Sequence, residues 1–161
     1  MHVFVNALVG RDSTYPYLAT VPPSTDPSAD CLSIAFDGAF ALHLSPHILR
    51  NVARVLAHAG LSAATIAQYL ELIHDVVELS GGAVTEPPRV AFASRDHEDN
   101  LILDLVAEVG ADLLVSDDAD LTPLSPWHGT PILRPHEFVR RVIADRRHLS
   151  GRTSARGEMD P

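Results

Sequence analysis

The sequence predicts an α/β protein in which helices cover a short parallel sheet. Segments rich in strand-forming residues alternate with segments whose apolar residues recur at helical spacing. The segment LLVS (residues 113–116) has no polar residue before its serine, which is typical of a strand buried on both faces. The chain has 161 residues, of which 46% are hydrophobic and 20% charged, so it is long enough for one domain with a real core.

The first third of the chain predicts two strands. HVFVNALV (residues 2–9) indicates a strand that begins at once, and FALHLS (residues 40–45) indicates a second. The Pro- and Ser-rich segment over residues 20–30 is predicted to be a loop between them.

Two helices follow. Ser45 as N-cap and Pro46 at the first helical position predict the start of one helix, and Ser62 is the predicted cap of the next. The glycines of SGG (residues 80–82) end the second helix, and AVTEPP (residues 83–88) is predicted to be extended.

The rest of the chain repeats the alternation. We predict a domain over residues 1–149 and a polar, disordered tail over residues 150–161. Within the domain, the predicted elements are a helix over 96–110, a strand over 112–116, a strand over 130–135 and a final helix over 136–147.

Two groups of carboxylates flank the predicted helix and strand. Asp117, Asp118 and Asp120 follow the strand directly, and Asp96 and Asp99 open the helix. Strand ends and helix starts share one edge of such a sheet, so the groups are expected to converge. Two like charges about 4 Å apart repel by about 4 kcal/mol at an effective dielectric of about 20, and a divalent cation would offset that cost.

The alternative for each residue is structural. Asp96 would cap the helix, Asp99 would interact with its dipole, and Asp120 would cap a short following turn. Capping accounts for one carboxylate per helix start but not for two groups at one edge.

Composition excludes several function classes. All twelve basic residues are arginine, which argues against phosphotransfer folds that need a lysine, and no P-loop, GxGxxG or GxSxG motif is present. The net charge of −9 gives no basic surface for nucleic acid. One cysteine and no apolar run of membrane-spanning length predict a cytoplasmic protein without membrane association.

Four segments carry a family resemblance: HVFVNAL, SPHILRNVARVL, SRDHEDNLILDLVAEVGADLLVSDDADLTPL and TPILRPHEFV. They resemble a PIN domain, in particular the VapC-like toxins of bacterial toxin–antitoxin pairs. The resemblance implies a three-layer α/β/α fold with a short parallel sheet. It also implies Mg²⁺- or Mn²⁺-dependent RNA cleavage, a homodimer, and inhibition by a cognate antitoxin.

The resemblance assigns site residues by position. Asp99 and Asp118 match the metal-binding acids, Asp120 and Asp96 match their catalytic companions, and Ser116 matches the hydroxyl at the strand tip. The metal would lower the pKa of a bound water and offset charge on the scissile phosphate. We also expect Arg95, close to the acidic edge, to contact RNA phosphates.

The chain departs from the family pattern at two positions. His2 occupies the third position of the family's D-x-N or D-x-H, so we expect that the first strand is truncated and that the aspartate lies upstream. Asn51 stands where the family usually has a glutamate, and it is either a neutral supporting ligand or a satisfied polar residue at the core edge. The sequence therefore leaves two functions open: a metal-dependent ribonuclease, or a PIN-like module that binds antitoxin or RNA without turnover.

Overall fold

A computed structural model describes residues 2–9 and 22–145 of the chain, which form an α/β fold with a short parallel sheet. The predicted tail over residues 150–161 lies outside the described residues. The described helices are α1 (His2–Val9), α2 (Pro27–Phe36), α3 (Pro46–His58), α4 (Ala63–Leu79), α5 (His97–Glu108) and α6 (residues 135–145). The strands are β1 (Leu114–Val115) and β2 (Ile132–Leu133), and Thr122–Leu124 is a single 3₁₀ turn.

The sheet confirms the parallel pairing expected of alternating strands and helices. Leu114 pairs with Ile132, and Val115 with Leu133. The predicted strand over residues 40–45 is reduced to one parallel bridge between Leu44 and Val84. β1 is only half-buried, and its described partner is β2 alone, so the prediction of a strand buried on both faces is wrong.

The predicted strand over residues 2–9 is also wrong, because these residues form helix α1. His2, Asn6 and Val9 are exposed, and the five residues between them are buried. A spacing of four and then three residues fits a helix, whereas a strand would expose every second residue. The sequence did not reveal this period, because the exposed Val9 is itself apolar and a short apolar run fits either helix or strand.

Helix α2 begins inside the segment predicted to be a loop. Asp26 is its N-cap, with Oδ1 accepting hydrogen bonds from the backbone N–H groups of Ser28 and Ala29, and Pro27 occupies the first turn. Asp before Pro is a helix-start signal. The proline- and serine-rich composition around it masked that signal.

The helix starts predicted from capping residues are confirmed. Ser45 accepts from the N–H of Ile48 at the start of α3, and Ser62 accepts from the N–H of Thr65 at the start of α4. Gly82 does more than follow the end of α4. A Cβ on Gly82 would lie 1.8 Å from the carbonyl oxygen of Leu42, so only glycine permits this close approach of the two chain segments.

The apolar faces of the two central helices, α3 and α4, lie in the chain's own core and are not free to form the homodimer that the resemblance implies. Ile48, Val52 and Leu56 of α3 pack in one buried cluster with Ile66 and Ile73 of α4. The hydroxyl of Tyr69 on α4 donates to the carbonyl oxygen of Phe4, which ties α1 to the same core. No helix within the described ranges is long and apolar enough to cross a membrane.

A gap separates the two parallel pairings. In the described part of the chain, the Leu44–Val84 bridge is not hydrogen-bonded to the β1–β2 sheet. An apolar cavity of about 450 Å³ lies there, lined by residues of the 39–44 segment, of β1, and of helices α1, α2, α3, α5 and α6.

Candidate metal centre

Three aspartates from two parts of the sequence meet at one point. Each of Asp99, Asp118 and Asp120 offers a carboxylate oxygen, and these oxygens lie within 4.8 Å of one another. Asp99 is buried, Asp118 is half-buried and Asp120 is exposed, so the group opens to solvent on one side. We refer to these three residues as the acidic cluster.

The first turn of α5 positions Asp99. Asp96 is the N-cap of this helix and accepts from the backbone N–H of Glu98. The cap fixes the helix start three residues before Asp99, and the partial positive charge there favours an acidic side chain. Ser94 adds a direct contact, because its hydroxyl donates to Oδ2 of Asp99 at 2.9 Å.

A tight turn after β1 positions the other two carboxylates. The buried hydroxyl of Ser116 accepts from the backbone N–H of Asp118, and Oδ1 of Asp118 accepts from the N–H of Asp120. These contacts aim both side chains toward Asp99. The structure therefore brings Asp99, Asp118 and Asp120 together, as the sequence predicted for the two acidic groups.

Helix α1 also reaches the acidic cluster. Nδ1 of His2, the first helical residue, lies 3.4 Å from Oδ2 of Asp118. A protonated His2 would partly offset the negative charge of the cluster, and a neutral one would hydrogen-bond to it.

The pKa of Asp99 is raised above its ordinary value. Burial is the main cause, and the neighbouring charges of Asp118, Asp96 and Asp120 add to it, while the hydrogen bond from Ser94 acts in the opposite direction. Because burial and the neighbouring carboxylates disfavour the charged form of Asp99, a bound cation would strongly favour its ionisation.

The remaining predicted residues lie around the acidic cluster in other roles. Asp96 caps α5, which is the structural alternative considered for it. Asp117 is exposed and does not belong to the cluster, although it neighbours Asp118 in sequence. Arg95 is exposed and forms no ion pair with a carboxylate of the described residues.

Asn51 has partners for both ends of its amide. Its Nδ2 donates to Glu98, and its Oδ1 accepts from Nε and Nη2 of Arg54 at 2.9 and 2.6 Å. These contacts make it a satisfied, buried polar residue. Glu98 of α5 therefore contacts Asn51, but it is not one of the carboxylates of the acidic cluster.

Sequence reasoning missed two residues that contact the acidic cluster, Ser94 and His2. Ser94 lies five residues before Asp99, and only the geometry of the loop reveals that its hydroxyl contacts that carboxylate. His2 was assigned to a strand, which hid its position beside Asp118.

The donors of the acidic cluster fit a hard divalent cation. All three are carboxylate oxygens, which Mg²⁺ and Mn²⁺ prefer, and the exposed side leaves room for coordinated waters. Asp99 and Asp118 would hold the ion, with Asp120 as a third ligand or as a partner of its waters.

Comparison with known proteins agrees with this geometry. A family model described as PIN domain matches residues 2–120, which include α1 and the whole acidic cluster. No curated protein and no solved structure matches the chain.

Proposed function

Because the chain belongs to the PIN domain family, a family of nucleases, we propose that it is a metal-dependent ribonuclease and the toxin of a toxin–antitoxin pair. The observation that carries the proposal is the convergence of Asp99, Asp118 and Asp120 within 4.8 Å. Mg²⁺ or Mn²⁺ is the proposed cofactor. A bound ion of this kind supplies an activated water at neutral pH and offsets charge on a phosphate oxygen.

The chain's own residues have defined parts in this proposal. Asp99 and Asp118 are the proposed metal-binding residues, and Asp120 and Asp96 are proposed to orient water and substrate from the edge of the acidic cluster. Ser94 positions Asp99 by a hydrogen bond, and Ser116 positions Asp118. Arg95 is proposed to contact the RNA backbone, because the net charge of −9 gives little long-range attraction and local cations must supply it.

An RNA cleavage assay tests the proposal. The full chain should cleave RNA with Mn²⁺ or Mg²⁺ and stop in EDTA. Asp99→Asn and Asp118→Asn should each lose more than about 100-fold in rate, because direct ligands matter at least as much as the groups behind them. Asp117→Asn is the matched control, and it should cleave as the wild type does. Equal cleavage by Asp99→Asn and wild type would rule out the metal centre.

The second candidate is a PIN-like module that binds RNA or antitoxin without turnover. The neutral Asn51 favours it, because its amide brings no charge toward the metal. RNA binding without cleavage at any tested metal concentration would support this candidate and contradict the first.

The proposed partners are a cognate antitoxin and a second copy of the chain. The buried faces of α3 and α4 are not free for either role. Exposed apolar side chains remain at the ends of three helices, namely Val9, Phe36 and Leu79. Sedimentation of the full chain at micromolar concentration should give a dimer, and a monomer would contradict that part of the proposal.

A further inference from the structure

The loop of residues 88–95, PRVAFASR, carries an aromatic side chain that the fold leaves bare. Phe92 is 91% exposed, more than any other large apolar residue described. A phenyl ring is normally buried on folding, and one explanation for an exposed ring is a flexible loop.

Flexibility does not explain the exposure here, because two buried side chains of α5 fix the loop backbone by hydrogen bonds. Oδ1 of Asp104 accepts from the N–H groups of Val90 and Ala91, at 3.0 and 2.6 Å. The amide of Asn100 accepts from the N–H of Ser94 and donates to its carbonyl oxygen. The chain is therefore fixed on both sides of Phe92, and its ring is held outward.

The anchored loop ends at the acidic cluster. The Ser94 hydroxyl donates to Asp99, and Phe92 precedes Ser94 by two residues, which span at most about 7 Å. The ring is therefore within reach of a strand bound at the acidic cluster.

Two cations flank the same ring in sequence. Arg89 and Arg95 are exposed, and neither forms an ion pair with a carboxylate of residues 2–9 or 22–145. A bare aromatic ring between unpaired arginines is the combination that binds single-stranded nucleic acid, with bases on the ring and phosphates on the cations.

We propose that Phe92 is a base-stacking residue, on which an unpaired base next to the cleaved phosphate lies while Arg89 and Arg95 contact the adjoining phosphates. The proposal rests on the ribonuclease function proposed above. It assigns the selection of unpaired, splayed bases to one side chain outside the acidic cluster.

Binding measured without cleavage tests it. A labelled single-stranded oligoribonucleotide is titrated with the full chain in EDTA, and fluorescence anisotropy gives the affinity. Phe92→Ala should weaken binding about 5- to 150-fold, which corresponds to the usual contribution of one stacked base. Phe92→Trp should retain binding. Val90→Ala removes an exposed apolar side chain of the same loop that has no ring, and RNA affinity should stay as in the wild type.

An oligonucleotide with abasic central positions identifies the contact as stacking. The wild type should bind it about as weakly as Phe92→Ala binds the intact strand, and the two losses should not add. Equal affinity of wild type and Phe92→Ala for the intact strand would overturn the stacking role. So would loss of self-association in Phe92→Ala with RNA binding intact, which would make Phe92 a protein contact.

The test separates this proposal from the function on which it rests. Phe92→Ala should keep the wild-type rise in melting temperature with Mn²⁺, because Phe92 holds no ligand. If the wild type binds no RNA at all, both proposals are wrong. If it binds and cleaves RNA while Phe92→Ala does so equally well, only the stacking role is wrong.

Discussion

Replacing Asp99 with asparagine should stabilise the metal-free protein. The carboxylate oxygens of the acidic cluster lie within 4.8 Å of one another. At that separation, each pair of charges repels by about 3.5 kcal/mol at an effective dielectric of about 20, and by about 0.9 kcal/mol at about 80. Asp99 takes part in two such pairs, so its charge costs about 2 to 7 kcal/mol.

The exposure of Asp120 favours the lower end of this range, and the charge on Asp99 also strengthens the hydrogen bond from Ser94. We therefore expect Asp99→Asn to raise the free energy of unfolding by about 1–3 kcal/mol in EDTA. For a chain of this size, that corresponds to an increase in melting temperature of about 2–12 °C. Differential scanning calorimetry at pH 7.5 measures it.

Metal should remove or reverse the difference in stability between the two proteins. Mn²⁺ at about 100 times its dissociation constant should stabilise the wild type by about 2.7 kcal/mol. The Asp99→Asn variant should respond much less, because it lacks a ligand.

Asp104 supplies the matched control, because it is on the same helix and equally buried, at 5% exposure. Its carboxylate accepts two backbone hydrogen bonds, so Asp104→Asn should lower the melting temperature and leave the Mn²⁺ response intact. A lower melting temperature for Asp99→Asn than for wild type in EDTA would refute the repulsion argument.

The same reasoning fixes the sign of the pH dependence. The pKa of Asp99 is raised in the folded protein above its ordinary value of 3.8. The folded state therefore binds this proton more tightly than the unfolded chain does, and its contribution to stability is fully present below that ordinary value. This contribution is lost as the pH rises through the raised pKa. In Asp99→Asn, the free energy of unfolding should no longer fall over that pH range.

Three further outcomes follow from the structure. Ser94→Ala removes the hydrogen bond that opposes the rise in the pKa of Asp99, so the acid limb of Mn²⁺ binding should move to higher pH; an unchanged limb would contradict that role. Burial raises the pKa of the Cys31 thiol, so Ellman's reagent should react slowly with native protein at pH 8 and rapidly in denaturant. Asp26→Ala removes the N-cap of α2 and should cost about 0.5–2 kcal/mol in chemical denaturation, whereas no change would mean that the cap is redundant.

The sequence predicted best those features that depend on local chemistry. Ser45 and Ser62 cap their helices through their own hydroxyls, and Asp99, Asp118 and Asp120 converge because strand ends and helix starts share an edge. The caps depend on neighbouring residues alone, and the convergence follows from the general geometry of a parallel sheet.

The failures have a common physical cause. Six of the eight residues over 2–9 are apolar, including the exposed Val9, so their apolar pattern carries no period that separates helix from strand. The partners of Asn51 are Arg54 and Glu98, and Glu98 lies 47 residues away in sequence, so no local pattern reveals it. The same holds for His2 and Asp118.

The gap between the Leu44–Val84 bridge and the β1–β2 sheet has a mechanical consequence. Close-packed interiors are nearly incompressible, but the part of this partly open apolar cavity of about 450 Å³ that water does not fill is volume that disappears when the chain unfolds. The unfolded state is then the smaller one, and compression favours it in proportion to the void that is lost. Hydrostatic pressure should therefore unfold this protein more readily than a fully packed chain of equal length.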